Sequence, residues 1–204
     1  MTNNTGKLIL LTGLFVTALI AANIIAAKLF VLGSVVLTVG IITYPITFLL
    51  TDTISEVWGK KRATQVVWMG FLANIFMLGV LYIARILPPA PFWPHQEAFD
   101  LILGAVPRIV IASLVAYIVS QTHDVWSFHF WRHKTGGKHL WLRNNVSTMT
   151  SQLIDSVIFV TVAFYGSMPN DALVTMIITQ YMVKLVIAVL DTPFCYMLVS
   201  WAKR

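Results

Sequence analysis

The sequence predicts an all-α, polytopic membrane protein with six transmembrane helices and both termini in the cytoplasm. Hydrophobic residues make up 58% of the 204 residues, and charged residues only 11%. A soluble domain carries about a quarter charged residues, so the composition disfavours the water-soluble classes. In addition, apolar stretches of about 20 residues, the length that crosses a bilayer, recur along the chain.

Six apolar stretches are predicted to cross the membrane. They cover residues 8–27, 34–50, 66–87, 101–121, 146–166, and 172 to near 201. Pro45, Pro107 and Pro193 interrupt three of them, and membrane helices tolerate proline where neighbouring groups satisfy the freed backbone. We therefore expect a single transmembrane domain over residues 1–204.

The basic residues outside these stretches predict the orientation. Ten of the 14 lysines and arginines fall in four polar places, namely Lys7, residues 60–62, residues 132–143 and residues 203–204. Six crossings bring these places to one side of the membrane, and an excess of Lys and Arg marks the cytoplasmic side. The net charge of +6 is therefore a topology signal of a multi-pass plasma (inner) membrane protein. Nucleic-acid binding is disfavoured because the cations are scattered over short loops.

The other charged side chains mark candidate functional residues. Those inside or at the ends of the apolar stretches are Lys28, Asp52, Glu56, Arg85, Arg108, Asp155, Lys184 and Asp191. A charge in lipid is costly and normally faces a cavity or a partner, so such residues are candidates for binding.

The spacing of the polar residues narrows these candidates. Gln152 and Asp155 are three residues apart and share a helix face, with Asp155 near the middle of the membrane. Lys184 lies at a similar depth, so it is the expected ion-pair partner of Asp155, with Arg108 as the competing partner.

The second stretch ends in two carboxylates that are four residues apart, Asp52 and Glu56. A functional role is favoured for Asp52. For Glu56, an ion pair with residues 60–62 and a functional role stay open. Asn74 either faces a cavity or forms a hydrogen bond with another helix, and the hydrogen bond is favoured.

Four histidines crowd the polar segment after the fourth stretch, namely His123, His129, His133 and His139. A solvated basic loop is favoured over a zinc site there because no cysteine accompanies them. The sequence predicts no metal and no cofactor.

The ordered set of motifs resembles the YhhQ/VUT family of queuosine precursor transporters, over nearly the whole chain. The residues that carry the resemblance are Tyr44-Pro45-Ile46-Thr47-Phe48, Thr51-Asp52, Glu56-Val57-Trp58-Gly59, Arg108, Ala112-Ser113, Ser147-Thr148, Asp155, and Lys184 followed by Asp191 and Pro193. Some relatives have Gly-Asn where this chain has Ser151-Gln152.

The resemblance implies uptake of a 7-deazaguanine base (preQ0, preQ1 or queuine) for tRNA modification, and no enzymatic activity. A carboxylate can accept the N–H donors of such a base, amide and basic groups can contact its keto oxygen, and aromatic rings can stack on it. The expected substrate-binding residues, which should converge on one central cavity, are Asp52, Glu56, Arg108, Gln152, Asp155, Lys184, Asn74, Tyr44 and Phe48. Asp155 and Asp191 are the expected coupling residues.

Three functions stay open. An autonomous secondary carrier is favoured. Its expected partners are a nucleobase substrate and the lipid bilayer. A coupling ion (a proton or sodium) and a second copy of the chain stay open as partners. The alternative is the substrate-binding subunit of an energy-coupling-factor transporter, for which the stripe Ala18, Ala22 and Ala26 would suit docking, although internal packing is more common for such stripes. An intramembrane enzyme is the distant alternative, because all histidines are expected in loops.

Overall fold

The structure is a computed structural model that describes residues 2–33, 35–136 and 140–203. Its description omits the side chains of residues 2–4, 125, 128, 129, 132, 140–145, 188, 189, 191 and 192. Seven α-helices dominate this part of the chain: α1 (Thr2–Ile25), α2 (Tyr44–Trp58), α3 (Lys60–Ile86), α4 (Gln96–Gly104), α5 (Val106–Lys134), α6 (Leu140–Phe164) and α7 (Asn170–Lys203).

Five stretches of helix within the described residues are long and apolar enough to cross a membrane. They lie in α1, in α3, across α4 and the first part of α5, in α6, and in the first half of α7. The predicted class, an α-helical protein that crosses the membrane several times, is confirmed. Pro193 lies inside α7, which continues as a helix through it.

The prediction of one helix over residues 34–50 was wrong. A two-stranded hairpin, β1 (Leu29–Leu32) and β2 (Val35–Thr38), precedes a 3-10 helix over Val39–Ile42, and α2 begins only at Tyr44. Gly33 adopts a φ of 63° between the strands, a conformation that glycine takes without steric cost. Pro45 then lies in the first turn of α2, where its missing N–H is not needed.

The helices also extend beyond the apolar stretches on the predicted cytoplasmic side. Helix α5 continues to Lys134, and α6 already begins at Leu140, so most of the expected loop over residues 122–145 is helical. Residues 122–134 contain neither glycine nor proline, and Gly136, with a φ of 58°, follows the end of the helix. Hydropathy marks where an apolar surface ends, whereas a helix ends where a breaker or cap occurs.

The chain forms two compact units, which we describe separately. Unit 1 contains Met1–Phe30, Thr38–Pro107 and Ile187–Arg204, and unit 2 contains Val31–Leu37 and Arg108–Val186.

Small residues hold the 3-10 helix close to α1 in unit 1. A Cβ atom at Gly40 would lie 2.9 Å from the carbonyl oxygen of Ala22 and 3.1 Å from Cβ of Ala26. Ala18 and Ala26 are themselves buried. The alanine stripe of α1 therefore packs inside unit 1, which confirms the interpretation as internal packing.

The start of α1 and the end of α7 lie at the same end of unit 1. Lys7 Nζ donates a hydrogen bond to the carbonyl oxygen of Trp201 at 3.0 Å and lies 5.1 Å from the centre of its ring. Lys203 Nζ pairs with Glu56 Oε1 at 3.3 Å. The described partner of Glu56 is thus Lys203 rather than the basic run at residues 60–62.

Candidate functional site

An ion pair joins α6 and α7 in unit 2. Lys184 Nζ donates to the carboxylate of Asp155, and the side chain of Lys184 is almost entirely buried. A buried ammonium group is costly unless a carboxylate compensates it. The predicted pairing of these two residues is confirmed.

Two glutamines border this ion pair. Gln152 precedes Asp155 by three residues on α6, and Gln180 precedes Lys184 by four residues on α7. The Oε1 atoms of both glutamines are buried and accept no hydrogen bond. Gln180 was not among the predicted site residues, although its spacing from Lys184 places both on one helix face.

Arg108, the competing partner for Asp155, lies instead against the carboxy-terminal end of α6. Its Nε atom donates to the carbonyl oxygen of Val162 at 2.7 Å, and the guanidinium also donates to the carbonyl oxygen of Tyr165. The last carbonyl groups of a helix lack partners within the helix, and a cation there also suits the helix dipole. Arg108 is therefore a cap of α6, and substrate binding by Arg108 stays a prediction.

A third group of polar side chains links α5 to α6 in unit 2. Ser151 Oγ donates to Asp124 Oδ1 at 3.4 Å and lies 3.2 Å from Nδ1 of His123. The expectation that every histidine lies in a loop was wrong, because His123 and His133 are on α5. The side chain of His129 and the whole of His139 lie outside the described residues.

The arrangement around Ser151 is not that of a Ser–His–Asp triad. In such a triad the carboxylate binds the imidazole and orients it, with the serine on the other ring nitrogen. Here the described contact of Asp124 is with the serine hydroxyl. The three groups therefore connect two helices, and the sequence offered no signal for them beyond the polarity of each residue.

The predicted site residue Asn74 is engaged between helices of unit 1. Its Oδ1 atom accepts a hydrogen bond from Asn23 Nδ2 at 2.7 Å, and its Nδ2 atom donates to the carbonyl oxygen of Gly70 at 2.9 Å. The residue is 1% exposed. The favoured interpretation, an interhelical hydrogen bond, is confirmed for Asn74.

Four predicted site residues follow one face of α2 at intervals of four residues. From the beginning of the helix they are Tyr44, Phe48, Asp52 and Glu56. The rings of Tyr44 and Phe48 lie edge to face with centres 4.5 Å apart, and both carboxylate residues are exposed. Unit 1 thus contains an aromatic and acidic stripe along α2.

Two predictions lie beyond these observations. Asp191 is part of α7, but its side chain lies outside the described residues, so its coupling role stays a prediction. The convergence of Asp52 with the residues of unit 2 on one cavity also stays a prediction.

Comparison with known proteins identifies one family and several relatives. Residues 38–198 match the model of a family described as "Putative vitamin uptake transporter". A "Probable queuosine precursor transporter" of Bacillus subtilis (strain 168) is 35% identical over 188 residues, which cover 90% of this chain and 82% of that protein.

Two further relatives match a shorter part. A "Probable queuosine precursor transporter" of Haemophilus influenzae is 32% identical over 133 residues, 64% of this chain and 53% of that protein. The "Queuosine precursor transporter" of Escherichia coli (strain K12) is 28% identical over 130 residues, 64% of this chain and 56% of that protein. No solved structure matches this chain.

Proposed function

The chain belongs to the vitamin uptake transporter family, and from this premise we propose that it imports a queuosine precursor, a 7-deazaguanine base, through the plasma membrane. The names of its relatives from B. subtilis, H. influenzae and E. coli support this substrate class. The chain acts as a carrier and not as an enzyme.

The observation that carries the proposal is the polar group between α6 and α7. Both helices contain a stretch that is apolar enough to cross the membrane, yet they carry the ion pair of Asp155 and Lys184 and the buried amide oxygens of Gln152 and Gln180. Polar groups at such positions are costly in lipid and mark substrate or ion pathways. A 7-deazaguanine offers N–H donors and a keto oxygen, which match the acceptors and donors of this group.

Six crossings with cytoplasmic termini are part of this proposal. The second crossing consists of the 3-10 helix and α2 together, rather than of one long helix. Four residues at about 2.0 Å and 15 residues at about 1.5 Å give roughly 30 Å, the thickness of the hydrocarbon core. The contacts Lys7–Trp201 and Glu56–Lys203, which bring both ends of the described chain to one end of unit 1, support an even number of crossings.

Energy for uptake comes from an ion gradient in this proposal. The sequence contains no Gly-x-x-x-x-Gly-Lys-Ser/Thr motif that would bind the phosphates of ATP. Asp155 and Asp191 are the acids that we assign to a coupling proton or sodium ion. Asp52, Tyr44 and Phe48 on the stripe of α2 are the candidate substrate-binding residues of unit 1. The alanine stripe no longer supports docking to an energising subunit, because it packs within unit 1.

Uptake by this chain alone tests the proposal. We expect a host that lacks its own carrier to accumulate labelled preQ0 when it produces this protein, and an ionophore that collapses the coupling gradient to abolish the accumulation. The matched control is the same host with an empty vector. Absence of uptake, with recovery only when ATP-hydrolysing subunits are supplied, would replace the carrier by a substrate-binding subunit.

A further inference from the structure

Two acceptor atoms in unit 2 lack the partners that buried polar atoms normally have. Among the described side-chain nitrogen and oxygen atoms, the buried ones without a hydrogen bond are Oε1 of Gln152 and Oε1 of Gln180. Gln180 as a whole is 5% exposed. Folded proteins pair the large majority of such atoms, and an unpaired one is costly. These two oxygens are therefore candidates to accept hydrogen bonds from a bound molecule.

The position of these oxygens relates them to the ion pair. A rise of about 1.5 Å per residue separates Gln152 from Asp155 by about 4.5 Å along α6 and Gln180 from Lys184 by about 6 Å along α7. Each glutamine thus lies within about one turn of the ion pair. Among the described residues, the two glutamine oxygens near this ion pair are buried acceptors without a hydrogen bond.

We propose that Gln152 and Gln180 determine the specificity of the substrate site, and that their amide oxygens accept N–H donors from the guanine-type edge of the base. This inference rests on the proposed function and names the residues that select the substrate. The edge of a 7-deazaguanine presents the ring N–H and the exocyclic 2-amino group side by side.

The selected feature is therefore the 2-amino group. A base without this group presents fewer donors and leaves one glutamine oxygen buried and unpaired. The loss expected from one such buried acceptor corresponds to about a 5- to 150-fold weaker affinity. The purified wild-type protein should bind 7-cyano-7-deazaguanine more tightly, by a factor in this range, than the analogue that lacks the 2-amino group.

Substitutions separate recognition from packing. Gln180→Met and Gln152→Met keep the length of the side chain and remove the acceptor. We expect the substitution of the glutamine that accepts from the 2-amino group to weaken binding of the amino base more than binding of the analogue, so that the preference falls at least several-fold. Substitution of the other glutamine, which accepts from the ring N–H that both bases have, should weaken binding of both. Gln121→Met is the matched control, because Gln121 is exposed on α5 in the same unit, and it should leave the preference unchanged.

The outcomes decide between the alternatives. An unchanged preference in both methionine variants would show that neither glutamine recognises the 2-amino group, and would overturn the inference. If the methionine variants do not fold, Gln180→Glu keeps an acceptor oxygen, and a folded Gln180→Glu variant that loses the preference would overturn the inference too. A wild-type protein that binds both bases equally overturns the inference alone, whereas one that binds neither also overturns the proposed function.

Discussion

Lys184 and Asp155 show how two costly side chains become a stabilising unit in apolar surroundings. Each charge alone would be unfavourable between two membrane helices, and together they compensate each other. Removal of one partner from a buried pair usually costs about 3–5 kcal/mol, whereas replacement of both by neutral side chains is often tolerated. Stability and transport can therefore be separated at this pair.

We expect Lys184→Met to lower the free energy of unfolding by about 3 kcal/mol, because it leaves the Asp155 carboxylate uncompensated. The double variant Asp155→Asn/Lys184→Met should recover most of this loss and still fail to transport. Unfolding in detergent and uptake of labelled preQ0 measure the two effects.

The single variant Asp155→Asn removes the carboxylate from the buried Lys184 and should also lose stability. The protein that still reaches the membrane should lose uptake, because it lacks the acid assigned to coupling. The amount of protein in the membrane fraction is the internal control for this experiment. Normal uptake by Asp155→Asn would remove Asp155 from the mechanism.

Depth and spacing were enough to predict the Asp155–Lys184 pair, because both residues lie near the middle of their helices. The partners of Arg108 could not be predicted in this way. They include backbone carbonyl groups at and just after the end of α6, and a backbone group carries no sequence signal. His123 was missed because a polar residue beyond an apolar stretch was assigned to a loop, although the helix continued.

Close approach at Gly40 fixes the path of the chain before α2. The backbone of the 3-10 helix passes so near α1 that a Cβ atom would meet the carbonyl oxygen of Ala22 at 2.9 Å. A backbone carbonyl within a helix cannot move aside as a side chain can. The 3-10 helix is therefore anchored to α1 through this glycine, and α2 begins from that position.

We expect Gly40→Ala to destabilise the protein by about 1–3 kcal/mol, because an added methyl group in a filled space displaces the backbone. Gly79→Ala is the matched control, since nothing lies within 4 Å of a Cβ atom at that position in α3. The control should be neutral or stabilising by up to about 1 kcal/mol, because alanine has a higher helix propensity than glycine. Thermal unfolding of both variants in the same detergent gives the comparison, and similar losses for both would contradict the role of Gly40.

Hydropathy alone could not predict this element. A short apolar run is compatible with a strand, a 3-10 helix or an α-helix, and residues 34–50 contain all three. Long, uniformly apolar stretches such as those of α1 and α3 leave no such choice. Their ends were predicted to within about two residues, whereas both helices begin about six residues before the predicted stretches.

Orientation in the membrane is the property of the whole molecule that the charges predict. In a Cys195→Ser background, Phe92→Cys places a thiol in the irregular segment between α3 and α4, where Phe92 is 89% exposed. Lys61→Cys places one near the start of α3, at an exposed position. With cytoplasmic termini, an impermeant thiol reagent should label the first in intact cells and the second only after permeabilisation, because the loop cations are retained inside. The reverse labelling pattern would show that the chain has the opposite orientation in the membrane.

Unit 1 has a consequence for the order of events during synthesis. Residues 1–30 and 38–107 leave the ribosome first, but the segment Ile187–Arg204 that completes the same unit follows only after residues 108–186. At about 5–20 residues per second, the early helices wait for several seconds before Trp201 and Lys203 reach Lys7 and Glu56. During this interval the incomplete unit has to be shielded in the lipid or by the insertion machinery. A nascent chain that stalls within α6 would therefore present an unfinished surface to the quality-control proteases of the membrane.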